Sequence, residues 1–81
     1  MPTVLRLDGY RFFFYSNEGD PLEPPHIHIR KGERVAKIWL EPEVSVVDSW
    51  GFTSRELRAI LRITKENHDH LLGSWNEYFH G

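Results

Sequence analysis

The chain has 81 residues, of which 40% are hydrophobic and 27% charged, with a net charge of −2 and no cysteine. A chain of this size is expected to form one domain, residues 1–81, with a small core, because it buries only about 60–65% of its unfolded surface. The lack of cysteine excludes a disulfide framework and thiolate metal sites, and the charge argues against a strongly basic nucleic-acid binder. No window approaches the roughly 18 apolar residues of a membrane span, and no signal peptide is recognisable, so we expect a cytoplasmic protein.

The N-terminal segment is typical of a β-hairpin. Two strand-like runs flank Asp8 and Gly9, and an Asp-Gly pair favours a two-residue type I′ turn because both central residues need positive φ. We therefore predict a hairpin over residues 3–15. Its expected cross-strand pairs are Leu7 with Tyr10, Arg6 with Arg11, Leu5 with Phe12, and Val4 with Phe13. The following residues, "SNEGDPLEPP", are rich in turn-forming types and predict a surface loop.

A second hairpin is predicted over residues 26–40, with Gly32 and Glu33 as its two-residue turn. In this register apolar residues face apolar residues, which supports it. The expected pairs are Ile29 with Ala36, Ile27 with Ile38, His28 with Lys37, and His26 with Trp39. A short additional strand over residues 44–47 is a further candidate.

The C-terminal part predicts one long helix over residues 53–79. Thr53 and Glu56 have capping-box spacing, and Phe52 and Leu57 occupy the positions of a hydrophobic staple. Apolar residues then recur at helical spacing. They are Leu57, Ile60, Leu61, Thr64, His68, Leu71, Leu72, Trp75, Tyr78 and Phe79. The fold class expected from these elements is α+β, a two-layer arrangement of an antiparallel sheet packed on one helix.

The sheet face away from the helix is expected to carry cations, histidines and aromatic residues together. They are Arg6, Arg11, Phe13, Tyr15, His26, His28, Lys37 and Trp39. Such a mixture can stack on bases and neutralise phosphates, as in RNA-binding sheets. It is also compatible with an ordinary solvated strand face, although Phe13 and Trp39 would then form an exposed apolar patch.

His26 and His28 are two residues apart on a strand and should point to the same face. One hypothesis is a metal-independent ribonuclease-like phosphodiesterase in which the two imidazoles act as acid and base beside Lys37. Another is a zinc site, with Glu18, Asp20 or Glu23 as a third ligand. A third is an anion site. Lys37 and Arg11 would repel a dication and attract a phosphate or carboxylate, so we expect an anion rather than a metal, and no cofactor.

The predicted helix carries its own basic stripe of Arg55, Arg58, Arg62 and Lys65 at steps of three and four residues. It could bind an acidic partner or nucleic acid, or it could form ordinary surface pairs with Glu66 and Asp69. His68 lies on the apolar stripe and is expected to be a hydrogen-bonded core histidine. His70 and His80 are expected to face solvent.

Several segments together resemble a small bacterial family, domain of unknown function 4160. They are "YRFFFYSNEGD", "EPPHIHIRKG", "AKIWLEP", "GFTSREL" and "WNEYF", and the resemblance extends from Val4 to Phe79. The matching positions are Tyr10, Phe12, Phe13, residues 16–18, Pro25, His26, His28, Trp39, Trp75, Asn76 and Phe79. His68 and His70 are not part of this signature.

The resemblance implies no established activity. Members often stand beside the gene of another very small protein, and some are labelled toxin–antitoxin-like from that context. It therefore implies a protein-interaction module, one half of such a pair, whose partner is the small protein encoded by the neighbouring gene. RNA is an additional candidate partner, no membrane association is expected, and the oligomeric state stays open.

Overall fold

The computed structural model describes residues 3–15 and 23–80, except for the side chain of His80. Most of the predicted 16–25 loop, including Glu18 and Asp20, lies outside these residues. The strands are β1 (Thr3–Leu7), β2 (Tyr10–Phe13), β3 (His26–Lys31), β4 (Arg34–Trp39) and β5 (Ser45–Trp50). The helices are α1 (Ser54–Glu66) and α2 (His68–His80). Neither helix of the described chain is long and apolar enough to cross a membrane.

The strands form one antiparallel sheet in the order β1-β2-β3-β4-β5, which confirms the α+β class. The two predicted hairpins are present, but they are joined by pairing of β2 with β3, in which Phe12 lies opposite Ile29. The candidate strand at 44–47 is present as the longer β5, which pairs with β4. Because each strand pairs with its neighbours in the chain, β1 and β5 form the two edges of the sheet.

The first hairpin has the predicted turn and most of the predicted register. Asp8 and Gly9 both have positive φ, 53° and 83°, as a type I′ turn requires. The pairs Leu7–Tyr10, Arg6–Arg11 and Leu5–Phe12 are confirmed. The Val4–Phe13 pair is wrong. An irregularity between Thr3 and Leu5 places Thr3 opposite Phe13, and Val4 instead packs against the core, where a bulge can turn an apolar side chain.

The second hairpin is confirmed in full. All four predicted pairs are observed, from Ile29–Ala36 at the turn to His26–Trp39 at the far end. Gly32 has a positive φ of 63°, and Lys31 pairs with Arg34, so the turn contains two residues. The apolar match across the strands sets this register, since a slip by one residue would oppose isoleucine to charged side chains.

The helix begins as predicted. The Thr53 hydroxyl accepts a hydrogen bond from the Glu56 N–H (3.1 Å), and the Glu56 carboxylate accepts one from the Thr53 N–H (3.0 Å). This backbone hydrogen bond, with a further contribution from the Arg34 guanidinium, lowers the pKa of Glu56 below its ordinary value of 4.5. The ion pair with Arg34 also joins the start of α1 to β4.

The prediction of one continuous helix is wrong, because Asn67 interrupts it between α1 and α2. The Asn67 side-chain amide donates to the Ile63 carbonyl (2.9 Å), which the Asn67 backbone N–H also contacts (3.1 Å). Asparagine favours such local bonds over a continuing helix. Ile63, which the predicted stripe did not include, is buried, whereas Tyr78, which it did include, is 47% exposed.

The core lies between one face of the sheet and the two helices. Its buried members are Tyr10, Phe12, Phe14, Ile27, Ile29, Ala36, Ile38, Leu40, Ile60, Ile63, Leu71 and Trp75. Trp75 of α2 is fully buried, with its ring centroid 5.4 Å from that of Phe14 and 4.3 Å from that of Phe79. We call this side of the sheet the core face and the other side the second face.

Candidate functional site

The register places the chemically active residues of the second face in rows that cross the strands. One row contains Arg6, Arg11, Arg30, Val35 and Trp50. The next contains Phe13, His28, Lys37 and Asp48. The last contains His26, Trp39 and Ser45. The predicted set is therefore on one face, joined by residues from β5 that the sequence did not assign to it.

Phe13 does not form the exposed patch that was predicted, since it is only 1% exposed. The Arg11 guanidinium lies 4.6 Å from its ring centroid. The Tyr15 ring meets it edge-on at 5.3 Å, and the His28 ring stacks on it at 5.6 Å. These side chains pack against Phe13, so Phe13 helps to position them and offers little surface of its own for a ligand.

The two histidines lie together, with ring centroids 5.2 Å apart. His28 is half-buried, and its ring is 4.6 Å from that of Tyr15. Both histidines were expected to point away from the core; the register keeps His26 on the second face, but its side chain is 0% exposed. Its ring lies 4.8 Å from that of Trp75, and its Nδ1 is 3.0 Å from the Pro24 carbonyl. His26 is the first residue of β3, where α2 reaches the sheet margin.

Lys37 is close to the histidines but already has an ionic partner. Its Nζ donates to the Glu23 carboxylate at 2.9 Å and lies 5.2 Å from the Trp39 ring centroid. Glu23, one of the suggested zinc ligands, is thus occupied by a cation. Across residues 3–15 and 23–80, no cluster of three or more histidine, aspartate or glutamate side chains is placed to hold a metal ion.

The second face carries a concentration of positive charge in the arginine row, which we define as Arg6, Arg11 and Arg30. These residues lie directly opposite one another on β1, β2 and β3, so their backbones are only about 5 Å apart from strand to strand. The Nε and Nη2 atoms of Arg11 are buried and have no hydrogen-bond partner among residues 3–15 and 23–80. Within the described residues, the ion pairs found do not include any of these arginines.

A shallow cavity of about 340 Å³ lies beside the arginine row. It is lined by Phe13, Tyr15, His28, Arg30, Val35, Ala36, Lys37, Asp48, Ser49 and Trp50. Trp50 is 67% exposed. Sequence reasoning missed Arg30 and Trp50. The alternation that grouped His26 with His28 also places Arg30 on their face, whereas Trp50 could not be placed without the pairing of β4 with β5.

The basic stripe on α1 is separate from this site. Arg55, Arg58, Arg62 and Lys65 are all exposed, while the buried side of α1 packs on the core face. Arg62 pairs with Glu66 at 3.0 Å, as the solvated-surface interpretation anticipated. The stripe and the arginine row therefore do not form one continuous binding surface.

The helix histidines connect α2 to the sheet. The Nε2 of His68 donates to the Leu40 carbonyl at 2.8 Å, which confirms the expected hydrogen bond, but His68 is half-buried and not the core residue that was expected. His70 is exposed, as expected, yet its Nε2 also donates to the Val4 carbonyl at 3.0 Å. Both residues have structural partners, and His80 has no described side chain.

The free edge of β5 is the second candidate binding feature. Ser45, Val46, Val47, Asp48 and Trp50 are all exposed, and only Ser49 is half-buried. The strand pairs with β4 on one side, and no other described strand lies on its outer side. A six-residue strand with three exposed apolar side chains is thus available at the margin of the sheet.

Comparison with known proteins assigns the chain to a family. Neither the curated proteins nor the solved structures include a match to this chain. A family model described as "Domain of unknown function (DUF4160)" matches residues 9–76, which confirms the resemblance and shows that the chain belongs to this family.

Proposed function

We propose that the protein is an interaction module that binds a small partner protein, encoded by the neighbouring gene, through the free edge of β5. The single observation that carries this proposal is the exposure of Val46, Val47 and Trp50 on an edge strand. The partner would add an extended segment beside β5. Its role as one half of a toxin–antitoxin-like pair is part of the same proposal.

An edge strand presents unpaired backbone N–H and C=O groups, so it can accept another strand. Natural proteins usually protect such edges with lysine, proline or a short strand. β5 is six residues long, and its only charged residue is Asp48. The register of β5 shifts between the residues opposite Lys37 and Ile38, and such an irregularity disfavours pairing with another strand at that point. β5 is the more apolar of the two edges, because it exposes Val46, Val47 and Trp50, whereas Leu7 is the only exposed apolar residue of β1.

The chemistry of β5 also defines the partner segment. Backbone hydrogen bonds would supply affinity, and alternate side chains would supply specificity. We expect an extended segment with β-branched or aromatic residues opposite Val47 and Trp50 and a cation near Asp48. A protein of this kind needs no deep pocket for its function.

Co-expression with the neighbouring protein, followed by purification of the complex, tests the proposal. Val47→Lys places a charge on the outer strand and should abolish the complex while the free protein keeps its circular dichroism spectrum. Thr3→Lys is the matched control, because it adds the same charge to exposed edge strand β1. Equal loss of the complex in both variants, no complex with the unmodified protein, or self-association through β5 alone would contradict the proposal.

The alternative of acid–base cleavage of RNA has less geometric support. It requires both imidazoles to reach a scissile phosphate, but His26 is buried against Trp75. His28 is the more accessible of the two. Assay of His28→Ala for loss of an RNA-cleaving activity would test this alternative directly.

A further inference from the structure

The geometry points to a binding site for single-stranded nucleic acid on the second face of the sheet. In this proposal the arginine row binds phosphate groups, and Trp50 stacks on a base. The inference rests on the arginine row and on Trp50; it shares Trp50 with the proposed addition of a strand at β5 but needs no partner at that edge.

The arginine row is unfavourable in the protein alone. Like charges directly opposite one another destabilise a sheet, and Arg11 lies between Arg6 and Arg30. Buried Nε and Nη2 atoms without partners add a desolvation cost, which the contact with the Phe13 ring offsets only in part. A bound anion would relieve the repulsion between the arginines. Sites that are locally unfavourable for stability are often functional.

Nearby carboxylates leave an excess of positive charge. Asp8 lines a cavity of about 280 Å³ with Arg6 and Arg11, and Asp48 lies opposite Lys37. Glu23 already pairs with Lys37. None of these carboxylates forms an ion pair with an arginine of the row, as far as the described residues extend. The planar guanidinium fork then favours bidentate contact with phosphate oxygens.

The exposed aromatic residues distinguish nucleic acid from an acidic peptide. Trp50 is in the same row as the arginines, separated from Arg30 by Val35. Tyr15, which is 40% exposed, lines the same cavity as Trp50 and Arg30. Aromatic side chains beside cations bind successive bases of a single strand whatever the sequence. An acidic peptide would satisfy the charge but has no bases for Trp50 to stack on.

Fluorescence anisotropy with short labelled single strands of RNA and of DNA tests the proposal. Contacts with three arginines should give a log–log salt dependence with a slope of about −2, since each phosphate contact on a single strand contributes about 0.7. Arg30→Gln should raise Kd about tenfold and reduce the slope by about 0.7. Trp50→Ala should raise Kd about tenfold at unchanged slope.

Arg62→Gln is the matched control, because it removes an exposed arginine from α1, and it should change Kd by less than about twofold. Binding of either strand with this variant pattern supports the proposal, and the ratio of the two affinities identifies RNA or DNA. Equal weakening by Arg30→Gln and Arg62→Gln would overturn it, as would an absence of binding. Binding of polyglutamate alone, lost in Arg30→Gln, would also overturn it and indicate a protein ligand.

Discussion

Truncation of Trp75 tests how the helices support the sheet. Trp75 is 0% exposed and contacts Phe14, Phe79 and His26. A buried aromatic side chain removes about 150–250 Å² from water, worth about 4–6 kcal/mol at 25 cal/mol per Å². The indole Nε1 is buried and has no hydrogen-bond partner in the described part of the chain, so its removal returns about 1–2 kcal/mol. We therefore expect Trp75→Ala to lower the free energy of unfolding by about 2–5 kcal/mol.

Such a loss is large for this chain, whose total stability should be about 4–12 kcal/mol. Urea unfolding followed by far-UV circular dichroism measures it. Trp50→Ala is the matched control, since Trp50 is mostly exposed, and it should change stability by no more than about 0.5 kcal/mol. If Trp75→Ala does not fold, Trp75→Phe should still cost about 1–2 kcal/mol. A cost below about 1 kcal/mol for Trp75→Ala, or an equal cost for Trp50→Ala, would refute the packing described here.

Three further predictions concern the backbone and the helix start. Because the pKa of Glu56 in the folded state lies below its unfolded value, the ionised carboxylate stabilises the fold above about pH 4.5, and this stabilisation is lost as the pH falls through the folded pKa. Thermal unfolding measured across this pH range should therefore show a smaller acid-induced loss of stability for Glu56→Gln than for the unmodified protein. Gly51→Ala should destabilise by about 1–2 kcal/mol, because φ is 86° and an added Cβ would lie 2.7 Å from the Arg34 side chain. Gly73→Ala, in α2 with open space around it, should instead stabilise by about 1 kcal/mol in urea titration; the same sign for both glycines would contradict the assigned backbone.

The sheet registers were predictable because turn chemistry and alternation act locally. Asp8 and Gly9 set the first turn, and the apolar match across Gly32 set the second. The bulge at Val4 could not be predicted, because the local sequence contains no signal for it. It is stabilised by the packing of Val4 against the core, which depends on the tertiary structure. The break at Asn67 had a local signal, a side chain that favours bonds to the backbone, but the continuous apolar pattern outweighed it.

Strand alternation predicted which residues share the second face, but it could not predict which of them are buried or which residues β5 adds. Alternation correctly grouped His26, His28 and Lys37 on one face. Burial depends on tertiary contacts, so the covering of Phe13 and the contact between His26 and Trp75 could not be read from strand periodicity. The contribution of Trp50 required the pairing of β5 with β4, because Trp50 lies beyond the candidate strand predicted at residues 44–47.

Amide hydrogen exchange on β5, with and without the neighbouring protein, is the most direct measurement of the central claim that this strand is the partner-binding edge. The backbone amides of Ser45–Trp50 that face outward from the sheet have no described strand to pair with and should exchange rapidly in the free protein. In the complex they should become protected, while the amides of edge strand β1 remain unchanged. Protection confined to β1 or to α1, with β5 still exchanging at its free rate, would contradict the account.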